Sequence, residues 1–130
     1  VAVLSAVAVP QYQDYVTRAR WTVNLTQLEP LKLAIAECLQ NQGGDTTACD
    51  TAGKLGLTAL PTPQHASGAI TLTATSSSEL KVAITGSPAA GNCKVEATGA
   101  ISDGLLGWVL TNVANGTQAA CTRPQTGVGG

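Results

Sequence analysis

Apolar residues recur at steps of three and four through the first third of the chain. Trp21, Leu25, Leu28, Leu31, Ile35 and Leu39 form one stripe, with Gln27, Lys32, Glu37 and Gln40 largely off it. That spacing marks an amphipathic helix and predicts one over residues 11–42. Gly43-Gly44 ends it, because glycine readily adopts the left-handed conformation of a helix C-cap. Pro30 falls inside the pattern, where a proline removes one hydrogen bond and bends the axis. The stripe resumes in phase at Leu31 and Ile35, so Pro30 predicts a kink. Ahead of this helix stands the apolar run VAVLSAVAV, joined to it through PQYQDYV, and Pro10 predicts a second kink at the junction.

Residues 43–68 have no period and hold Gly43, Gly44, Gly53, Gly56, Pro61, Pro63 and Gly68. They read as a long irregular connection, which inside a compact domain is functional or stapled. The period then changes to two. AITLTAT (69–75), ELKVAIT (79–85) and CKVEATG (93–99) alternate, and GWVLTNV (107–113) is a fourth candidate strand with ambiguous facing. Ser76, Ser77 and Ser78 separate the first two, as in a hairpin. Half-buried antiparallel strands give such alternation, and a hairpin chain is the simplest topology. The tail TRPQTGVGG has no period and reads as mobile. The predicted fold is α+β, a long N-terminal helix packed on a four-stranded antiparallel sheet. Its parts are the helix 1–42, apolar over 1–10 and amphipathic over 11–42, and a globular head over 43–130.

A chain of 130 residues suits one core. Only 12% of it is charged and the net charge is −1, which leaves no electrostatic footprint for nucleic acid or anionic lipid. The aromatics are Tyr12, Tyr15, Trp21 and Trp108, so the core is built from small aliphatics, and the few aromatics serve packing rather than an electron path. Cys38, Cys49, Cys93 and Cys121 form an even set in a small Gly/Thr/Ser-rich chain, which indicates two disulfides and an oxidising compartment. Of three connectivities, Cys38–Cys49 with Cys93–Cys121 closes the shortest loops and is preferred. The cysteine spacings hold no C-x-x-C pair and only His65 could assist, which argues against zinc.

No catalytic constellation is legible. His65 sits in a Pro/Gly-rich loop and reads as solvated; the eight carboxylates are scattered singly, and no phosphate-binding glycine motif occurs. Neither an enzyme nor a cofactor or metal is expected. Asn24-Leu25-Thr26 and Asn115-Gly116-Thr117 fit the N-glycosylation pattern, the first in mid-helix on a packing stripe, and both read as chance matches. The small polar stretch TNVANGTQAA before Cys121 is either an exposed binding surface or a loop that only needs closing.

The opening stretch VAVLSAVAVPQYQDYVTRAR resembles the N-terminal motif of bacterial type IV pilins. Pro10, Gln11, Tyr12, Gln13, Asp14, Tyr15 and Val16 match that motif without a gap, and Arg18 and Arg20 stand where the family carries basic residues. Leu28 to Lys32, LEPLK, resembles the second helix proline of many pilins, and Cys93 and Cys121 are similar to the last cysteine pair of wide-loop members. The resemblance implies the ladle-shaped pilin fold. It also implies a structural subunit polymerising through its N-terminal helix, with Val1, Val3, Leu4, Val7, Val9, Pro10, Tyr12 and Tyr15 in the filament core. In the family the apolar helix first spans the inner membrane and then packs on its neighbours. Two departures matter. Ala2 stands where the family often has Gly, and with no Met and no earlier apolar turns the chain reads as starting about a dozen residues inside the mature protein, ~18 Å of helix. The implied partners are other copies of the chain, the pilus assembly machinery and inner membrane, and a host surface, phage or DNA, without any specific nucleic-acid motif. A minor pilin or a type II secretion pseudopilin is the alternative.

Overall fold

The structure is a computed structural model describing residues 2–129, with side chains described from Gln13 onward. Two helices, α1 (Ala2–Thr26) and α2 (Glu29–Asn41), occupy the place of the single predicted helix. The break follows from Pro30. Its ring collides with the carbonyl of the residue four before it, Thr26, which is where α1 stops. The chain crosses Gln27-Leu28, with Leu28 N donating to Leu25 O at 3.2 Å, and α2 resumes as Lys32 N donates to Leu28 O at 3.1 Å. Pro30 thus lies in the first turn of α2, where its missing N–H is no loss. The stripe survives the break: Trp21, Leu28, Leu31, Ile35 and Leu39 are buried, and Leu25 is half-buried. At Pro10, where a kink was expected, α1 continues as one helix, so the junction does not end the element.

The stripe packs on a sheet of four antiparallel strands in sequence order, β1 (Thr71–Ser76), β2 (Glu79–Thr85), β3 (Lys94–Ser102) and β4 (Leu105–Val113). Leu80, Val82 and Ile84 of β2, with Val95 and Ala97 of β3, form the buried centre of its inner face. The register settles the facing of β4. Leu110 pairs with Ala97 and Trp108 with Gly99, so Leu106, Trp108 and Leu110 point to the core while Leu105 and Val109 are exposed. Gly99 is required there, because a Cβ would lie 2.9 Å from two atoms of the Trp108 ring. β3 and β4 extend further toward each other than the alternation indicated. They are joined by Asp103 and Gly104, both at positive φ, the geometry of a tight hairpin turn.

Residues 43–68 run over the surface in two short 3-10 turns, Thr46–Cys49 and Gly53–Leu55. The first is fixed to the β1–β2 hairpin, where Thr46 N donates to Ser77 O at 3.1 Å and the buried Thr46 hydroxyl donates to Ser76 O. Further on, helix side chains take the loop backbone. Asn24 Oδ1 accepts from His65 N at 2.9 Å, and Gln27 Oε1 accepts from Gln64 N at 2.6 Å.

The tail, expected to be mobile, is a docked element. Thr122 N donates to Gln125 Oε1 at 2.9 Å, closing one half of a capping box that starts α3 (Arg123–Thr126). The buried Thr126 hydroxyl donates to Asn112 Oδ1 at 2.7 Å and accepts from Val128 N at 3.1 Å, while Asn112 Nδ2 donates to Val128 O at 2.8 Å. Side-chain bonds rather than a hydrophobic period order the tail.

Candidate assembly surface

Burial on α1 is graded along its length. Trp21 is fully buried, and its indole N–H donates to Ala90 O at 2.9 Å. Gly86 permits that approach, since a Cβ there would come within 2.8 Å of the Trp21 ring. Arg20 is half-buried and reaches Ala89 O at 2.6 Å. Two turns toward the N-terminus, Tyr15 is 80% exposed, a large aromatic without cover. It shares a shallow cleft with Asp14, Arg18 and Pro124, and Arg18 lies over Gly127 just beyond α3. Val1, Val3, Leu4, Val7, Val9, Pro10 and Tyr12, expected in a filament core with Tyr15, lie outside the residues whose side chains are described.

The head has two charged ends. Arg18, Arg20 and Arg123 lie with Asp14 around the contacts of α1 with α3 and with the Pro88–Ala90 turn, which we term the base. At the far end, the tip, the α2 C-terminus meets the two hairpin turns. Glu37, Asp45, Asp50, Glu79 and Asp103 collect there with Lys54, which pairs with Asp50 at 2.8 Å. Thr47 donates to Asp45 through its hydroxyl at 2.6 Å and its N–H at 3.0 Å. These bonds, with the Lys54 charge adding a smaller share, hold the Asp45 carboxyl below its ordinary value. Between α2 and the β3–β4 turn lies a mainly apolar groove of about 470 Å³ lined by Leu39, Ile101, Leu105 and Leu106 among others. Leu105 is 75% exposed at its lip.

The cysteines are joined as Cys38–Cys49 and Cys93–Cys121. The first ties α2 to the start of the connection; the second encloses β3, β4 and the stretch TNVANGTQAA. That stretch is tethered, with Asn115 Nδ2 donating to Asn92 O at 2.8 Å and Gln118 Nε2 to Gly91 O at 3.0 Å. Asn24 is fully buried, and one N–H of the Asn115 amide donates to Asn92 O. His65 is half-buried, and its backbone N–H and carbonyl bond Asn24 and Ser87. No group of three metal-ligating side chains gathers among the described residues, and among them no helix is long and apolar enough to cross a membrane.

The exposed Leu105 groove and the docked tail were missed from sequence, though each had a signal. Asp103-Gly104 is a hairpin dipeptide, and Thr122 with Gln125 three residues later is a capping box.

No solved structure matches the chain. A family model of pilin, a bacterial filament protein, matches residues 17–125, which takes in α2, the sheet and both disulfides. That stretch begins after PQYQDYV, so it supports the motif's implication independently. With a helix packed on a four-stranded antiparallel sheet and this match over most of its length, the chain belongs to the pilin family and is a type IV pilin, a self-assembling structural subunit of a bacterial filament.

Proposed function

We propose that this pilin is the repeating subunit of an extracellular type IV pilus serving adhesion, twitching motility or DNA uptake. The observation that carries this reading is Tyr15, left uncovered on α1 just ahead of the head. In this reading residues 1–42 form the stalk and 43–130 the outward-facing head. Val1, Val3, Leu4, Val7, Val9, Pro10 and Tyr12 continue the Tyr15 surface into the filament core, after an earlier stage in the inner membrane. Burial of that apolar helix surface drives assembly, at roughly 25 cal/mol per Å². A protruding helix makes heterologous contacts that do not close, as a filament needs. With seven Lys and Arg in the whole chain, phosphate contacts are few, so DNA is the weakest of the three roles.

The test is electron microscopy of a pilin-deletion host complemented with the full-length gene. Abundant filaments made mainly of this chain are expected. Bare cells containing processed protein would overturn the reading and favour a minor pilin or pseudopilin. Filaments formed equally well by a variant beginning at Gln11 would refute assembly through the helix.

A further inference from the structure

The base and the tip bear complementary features as well as opposite charge. The base offers an uncovered aromatic, Tyr15, with Arg18 sharing its cleft and Arg123 starting the helix packed beside it. The tip offers an apolar groove with Leu105 exposed at its lip. Asp45 and Asp103 each adjoin a glycine that lines this groove, Gly44 and Gly104, and both carboxylates are exposed. We propose that Tyr15 of one copy seats in the Leu105 groove of the next, with Arg18 and Arg123 facing Asp103 and Asp45 across the rim.

The occupant is a second copy because the family self-assembles and the charges at the two ends of one head complement each other. The two patches are separated by the length of both helices, at most ~35 Å from Arg18 to the end of α2 at 1.5 Å per residue. Different surfaces therefore meet at each contact. Such a contact is heterologous and repeats in one direction instead of closing into a dimer. Covering a Tyr removes ~150–250 Å² from water, which contributes affinity. The charged rim sets register and polarity more than strength, so base-to-base and tip-to-tip encounters are repelled.

This contact rests on the filament reading, and the experiment separates the two. The full-length chain carries Tyr15→Cys and Leu105→Cys together in the pilin-deletion host. All four native cysteines are in disulfides, so the introduced thiols are free to pair with each other. Mild oxidation of sheared filaments is expected to give a covalent ladder in the double variant and none in either single variant. Wild-type cells without filaments would overturn the filament reading and the contact together. Wild-type filaments beside double-variant filaments that give no ladder would overturn the contact alone, leaving the groove to a foreign ligand.

If the cysteine variant does not assemble, charge reversal decides. Arg18→Glu with Arg123→Glu, and separately Asp45→Lys with Asp103→Lys, should each lower filament yield by about tenfold. Yield should recover when all four are combined in one chain. A combined variant no better than either pair, with the protein folded by circular dichroism, would refute the contact.

Discussion

Replacing each disulfide by an alanine pair should cost stability in a fixed order. Cys38 and Cys49 are 11 residues apart and Cys93 and Cys121 are 28 apart. If a cross-link acts by restricting the unfolded chain, the lost loop-closure entropy is worth ~2.8 kcal/mol for the shorter loop and ~3.6 kcal/mol for the longer at 25 °C. Alanine is the right replacement, because Cys49 and Cys93 are buried and serine would strand a hydroxyl. The assay is urea unfolding of the purified chain under non-reducing conditions, scored by the shift in midpoint. The m-value should rise in both variants, since the freed unfolded chain exposes more surface. At about 4 °C per kcal/mol for a chain this size, the two melting points should fall by ~11 and ~14 °C. A larger loss on removing Cys38–Cys49 would refute the entropic argument. It would show that the bond acts by holding the 43–68 connection, with Thr46 and its bonds to the β1–β2 hairpin, in the native state.

Gly99→Ala should destabilise by ~1–3 kcal/mol and alter Trp108 near-ultraviolet dichroism, because the new methyl lies 2.9 Å from the ring; a wild-type melt would contradict that packing. Thr126→Val keeps the shape but removes the bond to Asn112 and strands the Val128 N–H, so ~1–3 kcal/mol is lost and hydrogen exchange at Val128 accelerates. Thr47→Val removes the hydroxyl bond that lowers the Asp45 pKa, and a carboxyl NMR titration should find that pKa moved upward. A lowered folded-state pKa contributes stability above the unfolded value and loses it as pH falls through the folded value. The part of the variant's deficit due to that shift therefore appears at neutral pH and vanishes in acid.

What the chain discloses before folding depends on how local the cause is. The Trp21-to-Leu39 stripe and the alternation of β2 are repeated local signals, and β2 spans the predicted Glu79–Thr85. The end of α1 is also local once Pro30 is read through its clash with residue 26 rather than as a bend. β4 was ambiguous because Leu105, Leu106, Val109 and Leu110 are apolar on both faces; only pairing with β3 assigns them. The tail was misread because its order comes from Asn112, fourteen residues upstream of Thr126. The candidate surface was half legible. PQYQDYV marks the helix, but the groove needs Leu39 and Leu105 brought together by the fold.

The strand order β1-β2-β3-β4 has a bearing on how the protein is made. Each strand pairs with its neighbour in sequence, so the sheet closes only short loops and its hairpins form early. Lys94 pairs with Val113, which brings the residues flanking β3 and β4 close. Pairing of β3 with β4, followed by the Asn115–Gln118 turn held on Asn92 O and Gly91 O, sets Cys121 beside Cys93. Oxidation after that pairing should favour the native bond over mispairing with Cys38 or Cys49, and trapping of early disulfide species during refolding would check it.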